Sequence, residues 1–303
     1  MMELTVFQRK FYEALPHIPH SFFEPMKEHT SFRIGGPAEV MAFPENDGQL
    51  SQLLSLAAAE RMTPAILGAG TNILAPDKGL NGLVICLKDC LDGMERDGES
   101  GIVVAAGVTM TRAAVFAAKL GLSGLEFAHG IPGTVGGGVY MNAGAYGGEL
   151  CQVCDWVDVM TMDGQIVRMS REDMGFSYRH SVLEERPGIV LRARFVLEKG
   201  DPEEIRARMK ELMNTRSASQ PLDKPSAGSA FKRPVGGYAA ALIDQSGLKG
   251  FAVGDAAISE KHAGFAVNLG NATAEDVKNL LRQVSDKVYA DSGIRLEPEV
   301  RIW

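Results

Sequence analysis

Hydrophobic positions change period along this chain, and the changes mark its elements. Phe7, Phe11, Tyr12 and Leu15 recur at helical spacing, which predicts an amphipathic N-terminal helix docked on the body and ended by Pro16 and Pro19. A strand is expected over 38–43, then a helix over 47–61 with Leu50, Leu53, Leu54 and Ala57 on one face. Further strands are expected at 65–67, 83–87, 102–106 and 188–197. A helix runs from Thr109 as N-cap to Leu120, closed by Gly121. The apolar runs 156–162 and 165–169 flank Asp163-Gly164, the strongest short hairpin signal in the chain. Asp201-Pro202 opens a charged helix to about Met213, with Pro in the first turn. Residues 216–236, rich in small side chains, read as a long loop, followed by helices at 238–245 and 273–290; Thr273 and Asp276 pattern as a capping box. The run 294–302 alternates Ile294, Leu296, Val300 and Ile302 against Arg295, Glu297, Glu299 and Arg301, which predicts a final strand with an edge or bulge at Pro298.

One stretch fits neither period. Residues 129–148 are too glycine-rich for a stable helix or strand and too apolar for a linker, so their backbone is expected to lie against something bound. Where side chains are absent, main-chain N–H groups can converge on an oxyanion; Gly133, Gly136, Gly137 and Gly138 would serve a phosphate-bearing cofactor in that way. An apolar, turn-rich core loop is the competing reading. A second glycine turn, Gly68-Ala69-Gly70-Thr71-Asn72, follows the strand at 65–67. It is not a Rossmann fingerprint: position 73 is Ile rather than Gly, and residues 74–79 read as loop rather than as the helix that would receive a pyrophosphate.

The totals narrow the class. With 303 residues and 45% hydrophobic content the chain can bury a sizeable core in two or three domains. A net charge of -7 excludes a broad basic surface, so neither nucleic acid nor an anionic membrane is expected as a partner. The N-terminus lacks the apolar core of a signal peptide, and no run reaches the ~18 apolar residues of a bilayer span, so a cytoplasmic location is expected. Four cysteines make no disulfide framework. Cys86/Cys90 and Cys151/Cys154 leave zinc or a redox pair open, but Cys86 in an apolar run and Cys151 after Leu150 read as buried free thiols, and no metal is assigned.

Two glycine turns, Tyr178-Arg179-x-Ser181, Gly228-Ser229-x-Phe231-Lys232-x-Pro234 and the terminal Leu296-Glu297-Pro298-Glu299-Val300-Arg301 occur in one order. In these the chain, from about Thr30 to Arg301, resembles the UDP-N-acetylenolpyruvoylglucosamine reductases, in the shorter type that lacks extra substrate-covering segments. The resemblance implies an α+β protein: a vanillyl-alcohol-oxidase-like FAD-binding region at 1–215 and a C-terminal α+β substrate domain at 216–303. It implies FAD as cofactor, NADPH as hydride donor and the enolpyruvyl ether of a UDP-sugar as substrate, in peptidoglycan precursor synthesis. It places the flavin against Gly68, Ala69, Gly70, Thr71 and Asn72 and against Gly130, Pro132, Gly133, Thr134, Gly136 and Gly137, with Asn142 and Ala143 near the ring system. For the UDP-sugar it points to Tyr146, Lys232, Arg233, Lys249, His262 and Arg301. The chain departs from the family's pattern at Ser219, where a Lys commonly contacts substrate phosphate, and at Ala239-Ala240, where Ala-Gly is usual.

The chemistry asks for the same residue types. Reducing an enol ether conjugated to a carboxylate needs a hydride at the β-carbon, stabilisation of the charge that develops, and a proton at the α-carbon. Arg179 suits the carboxylate because a guanidinium binds it bidentately, although a structural salt bridge is the common fate of a single Arg. Ser229 stands in a loop without bulky neighbours, where its hydroxyl reaches either a ligand or its own turn. It lacks the Gly-x-Ser-x-Gly elbow of a nucleophile. As a proton donor it needs a cationic neighbour, for which Lys232 and Arg179 are candidates, and the resemblance implies that role. Glu299 belongs to a charged face that is usually just solvated; by resemblance it is the third catalytic residue. Tyr146 could stack or hydrogen-bond, but a Tyr in an apolar loop is more often core. A flavin oxidase of the same fold and a non-catalytic nucleotide-sugar module remain the alternatives, with His129 keeping a covalent flavin link open.

Overall fold

The structure is a computed structural model that describes residues 3–303. The chain divides into two compact units. The first takes the chain up to Phe22, Glu39–Ala69 and Gly82–Asn214, and the second takes Phe23–Ala38, Gly70–Asn81 and Thr215–Trp303. The division is therefore not a single cut at 215: two short segments from the N-terminal third belong with the C-terminal unit.

In the first unit a five-stranded antiparallel sheet runs in the order Ile166–Ser170, Cys154–Thr161, Gly188–Val196, Gly101–Ala105, Met94–Asp97. The hairpin at Asp163-Gly164 sets its register, pairing Met160 with Ile166 and Trp156 with Ser170. Ile102, Val104, Val157, Val159, Val190 and Phe195 share a core there with Ala113, Ala114, Ala117 and Ala118 of helix α3 (Met110–Lys119), whose N-cap Thr109 accepts from Arg112 N. A four-stranded sheet, in the order His20–Pro25, Pro37–Ala42, Leu80–Cys86, Ala65–Leu67, joins a second core. Phe7 and Phe11 of α1 (Val6–Ala14) and Leu50, Leu53, Leu54 and Ala57 of α2 (Asp47–Ala59) fill it.

In the second unit an antiparallel sheet (Ser226–Ser229, Phe265–Asn268, Ala256–Ile258, Ala252–Val253) carries α6 (Ala239–Gln245) and α7 (Ala274–Ser292). Val277, Leu280, Leu281, Val284 and Val288 of α7 share a core with Phe231, Ile243 and Ile258. The Thr273/Asp276 capping box is present, and Gly293 at φ 72° ends the helix in the left-handed region that glycine adopts freely.

Five expectations need correction. The glycine stretch does form a helix, α4 (Val135–Tyr140), because Thr134 caps it and Val135 and Val139 are wholly buried. Close packing requires its glycines: a Cβ on Gly136 would stand 2.9 Å from Ala106 Cβ, and one on Gly138 2.9 Å from Met110 Sδ. Tertiary contact here outweighs the low helix propensity of glycine. Helix α5 (Pro202–Ser219) runs a turn and a half beyond Met213, and Ser226–Ser229 within the expected loop is a strand. The final strand shrinks to Arg301–Ile302, parallel to Ile73–Leu74, while at Pro298 there is an isolated bridge to Phe231, closed by Glu299 N to Ala230 O and Lys232 N to Glu297 O. All four cysteines are free thiols; Cys86 and Cys154 are buried, whereas Cys151, expected buried, is only partly so.

Candidate active site

The two glycine turns meet within the first unit. A Cβ on Gly68 would lie 2.5 Å from Thr134 Oγ1, so Gly68 is glycine because the second turn passes against it. Beside that contact Pro132 and Gly137 are exposed, giving a strip of main chain nearly bare of side chains. A Cβ on Gly137 would meet only Thr134 Oγ1, at 3.6 Å. Next to Gly130, the buried Nδ1 of His129 has no hydrogen-bond partner among the described residues. Gly133 holds φ 129° and accepts from Met110 N at 3.0 Å. The expected convergence of glycine amides on an oxyanion fails at Gly136 and Gly138. Their N–H groups already donate to Ala106 O (2.9 Å) and Thr134 O (2.8 Å) as α4 docks, and Gly137 N donates to Thr134 Oγ1 at 3.4 Å.

Asn142 is also other than expected. Its buried side chain donates to Glu149 Oε2 (3.1 Å) and Ser177 O (3.0 Å) and accepts from Cys151 N (2.9 Å), so its polar atoms are spent within the protein. Ala143 is buried in the core beside it. Arg179, at φ 56°, donates from Nη2 to Gly144 O at 2.9 Å and lies 4.9 Å from the Tyr178 ring centroid. Tyr146 is not core: it is 40% exposed, in the left-handed region at φ 54°. Ser181, which no sequence signal marked beyond its place in the motif, is wholly buried and donates to Tyr140 O at 2.6 Å.

The second unit brings Ser229 and Glu299 together. Glu299 N donates to Ala230 O at 2.9 Å, which lays Glu299 beside the strand that ends in Ser229. Asn72, in the same unit with Gly70 and Thr71, binds this segment from another side: its Nδ2 donates to Glu299 O at 3.1 Å and its carbonyl accepts from Arg301 N at 2.9 Å. Gly70 is required there, since at φ 61° a Cβ would fall 2.0 Å from His29 O. The Ser229 side chain is exposed, and its hydroxyl makes no hydrogen bond among the described residues; it does not close its own turn. Gly228 before it holds φ 74° with open space around it.

Other expected substrate residues carry partners of their own. Lys232 pairs with Glu297 at 2.5 Å, Lys249 with Asp244 at 2.7 Å, and Arg233 stacks 4.4 Å over Tyr238. Such exposed pairs are weak, about 1 kcal/mol or less, and easily exchanged for a ligand phosphate. His262 is held below its ordinary pKa, first by burial and then by Lys249, so it is neutral at pH 7. Its Nδ1 accepts from Gly264 N at 3.1 Å, leaving the proton on Nε2. Ser219, where a Lys was usual, turns its hydroxyl back to Thr215 O at 2.9 Å.

Residues 38–170 match the FAD binding domain model, and residues 220–303 match the C-terminal domain model of UDP-N-acetylenolpyruvoylglucosamine reductase. A reductase of that name from Caldanaerobacter subterraneus subsp. tengcongensis is 47% identical over 279 residues, 92% of each chain. One from Agathobacter rectalis is 45% identical over 307 residues, 98% of each. The crystal structure of the Thermus caldophilus reductase superposes with a TM-score of 0.80 at 38% identity, covering 95% of this chain and 99% of that one. The 6-hydroxy-D-nicotine oxidase of Arthrobacter nicotinovorans shares the fold, with a TM-score of 0.59 at 13% identity over 92% of this chain and 88% of that one. The architecture is thus the α+β flavin-binding fold of the vanillyl-alcohol-oxidase kind together with the reductase C-terminal domain that residues 220–303 match. The chain belongs to the UDP-N-acetylenolpyruvoylglucosamine reductase family.

Proposed function

We propose that Arg179, Ser229 and Glu299 carry the reduction of UDP-N-acetylglucosamine enolpyruvate to UDP-N-acetylmuramate, which this chain performs as an FAD-dependent, NADPH-using reductase of peptidoglycan precursor synthesis. The observation that carries the activity is likeness across the whole length: 45% identity over 98% of both chains leaves no domain unmatched. The oxidase reading loses its support, since at 13% identity the nicotine oxidase shares fold alone.

The residues present fit FAD. Gly68 touches Thr134, bare main chain is exposed at Pro132 and Gly137, and His129 Nδ1 is buried without a partner. In this reading Gly68, Ala69, Gly130, Pro132, Gly133, Thr134 and Gly137 of the first unit hold the cofactor through main chain. Gly136 and Gly138 shape that surface from behind, whereas the Asn142 side chain is engaged with Glu149, Ser177 and Cys151. When bound, FAD would supply the hydride chemistry between NADPH and the β-carbon of the substrate.

The chain's own residues do the rest. Arg179 binds the substrate carboxylate and offsets the negative charge that develops on it. Ser229, with its hydroxyl unengaged and exposed, gives its proton to the α-carbon, and Glu299 on the adjoining segment assists that transfer. Tyr146, Lys232, Arg233, Lys249, neutral His262 and Arg301 orient the UDP-sugar. No helix among the described residues is long and apolar enough to cross a membrane, and the nucleotide-sugar substrate and NADPH suit a cytoplasmic enzyme.

The test is an anaerobic titration of the yellow protein. One equivalent of NADPH should bleach the flavin absorbance, and UDP-N-acetylglucosamine enolpyruvate should restore it. Absorbance that stays bleached rejects the substrate, and a colourless protein that FAD does not reconstitute rejects the reading at its base.

A further inference from the structure

Among the described residues seven non-glycine residues have positive φ, and three of them, Asn142 (45°), Tyr146 (54°) and Arg179 (56°), stand on two turns joined to each other in the first unit. Left-handed backbone in residues with a Cβ persists only where the surroundings over-determine it, and it clusters at working sites. The surroundings here are specific. The turn carrying Arg179 closes on itself through Ser177 N to His180 O and His180 N to Ser177 O, each 3.2 Å. It is pinned to the end of α4 on both sides of Arg179. Before it, Asn142 Nδ2 donates to Ser177 O at 3.0 Å; after it, Ser181 Oγ donates to Tyr140 O at 2.6 Å. Asn142 is itself fixed by Cys151 N and Glu149, and both Asn142 and Ser181 are buried.

We propose that Asn142 and Ser181 are positioning residues for Arg179. They hold its turn in the left-handed conformation that presents the guanidinium, with Gly144 O fixing one of its nitrogens. This rests on the reading of Arg179 as the residue that binds the enolpyruvyl carboxylate. Neither side chain needs to touch substrate or flavin: each acts through the place it gives Arg179. The arrangement explains why the second residue past the glycine helix is an Asn, which tolerates φ 45° and also supplies a donor and an acceptor at once.

The experiment is single-turnover reoxidation of NADPH-reduced holoenzyme by UDP-N-acetylglucosamine enolpyruvate, in Asn142→Gly, Arg179→Ala and the double variant. Glycine keeps the backbone angle and removes only the side-chain bonds. Asn142→Gly should keep its FAD stoichiometry and slow reoxidation on the order of 100-fold, the scale of a small misplacement of a reacting group. In the Arg179→Ala background the same change should cost nothing further, because a positioning residue has nothing left to position. An equal loss in both backgrounds, or no loss in either, overturns the positioning role. Unimpaired reoxidation in Arg179→Ala alone overturns instead the reading of Arg179 beneath it. If Asn142→Gly does not retain FAD, Ser181→Ala, which deletes a single bond, is compared in the same two backgrounds and decides by the same criterion.

Discussion

Cys154 has its thiol pushed up to about 12, first by burial and then by Asp155 and Cys151, and Cys90 is pushed up to about 12 by burial, Cys86 and Asp89. Cys86 and Cys151 are raised as well, again chiefly by burial. Only the thiolate attacks, and its fraction falls tenfold per unit of pKa, so the Cys-x-x-Cys spacing at 151–154 brings no activated thiol with it. All four cysteines of the folded protein should react with a disulfide reagent at pH 8 far more slowly than free cysteine, and all four should become fast in guanidinium chloride. A fast-reacting thiol in the native protein would contradict this. His262 titrates with the opposite sign. Its folded pKa lies below the ordinary value of about 6.5, so the unfolded chain binds more protons just below that pH and stability falls as pH drops through it. His262→Gln should therefore flatten the loss of thermal midpoint between pH 7.5 and 5.5, read by differential scanning calorimetry. An unchanged slope would mean that another group sets it.

At the scale of elements, α4 separates two kinds of glycine that look alike in sequence. Gly136 faces Ala106, and Gly137 faces outward with room for a Cβ. Gly136→Val overpacks the contact with Ala106 and should cost about 1–3 kcal/mol in a urea titration. Gly137→Ala adds a better helix former in open space and should keep or raise stability by up to ~1 kcal/mol, while lowering FAD occupancy if the cofactor lies on that bare surface. Full occupancy in Gly137→Ala would move the flavin off this turn. Elements with a local signal were legible: the hairpin in Asp163-Gly164, the caps in Thr109 and Thr273, the α1 and α2 faces in their leucines and phenylalanines. Helix α4 was not, since what stabilises it is Ala106, Val108 and Met110 from outside the segment. The alternation over 294–302 misled for the converse reason: a period of two persists through Pro298, but the hydrogen-bond ladder does not.

For the molecule as a whole, the motifs were legible and the division into units was not. Phe23–Ala38 and Gly70–Asn81 join the C-terminal unit through contacts such as Ser31 Oγ to Ser226 O (2.6 Å) and Asp77 Oδ1 from Ala274 N (2.8 Å), which no shift of composition announces. Consequently Asn72, read with the flavin turn, sits in the unit that holds Ser229 and Glu299, and Arg179 sits in the other. The two half-reactions of the cycle should then separate by mutation. Nothing in hydride donation from NADPH calls for a proton at a substrate carbon, so Ser229→Ala should bleach the flavin at nearly the wild-type rate. On the proposed role of Ser229, its reoxidation by the enolpyruvyl substrate should slow by about 10²–10⁴-fold, the usual contribution of a positioned acid. The exposure of Ser229 and the open space around Gly228 make the substitution structurally mild, so thermal midpoint and FAD content serve as controls that should not move. Stopped-flow absorbance under anaerobic conditions reads both steps on one sample. Equal slowing of both would assign Ser229 to the fold or the flavin site. Slowing of reoxidation alone, matched by a similar but smaller effect in Glu299→Gln, would place the proton at the segment where Glu299 N meets Ala230 O.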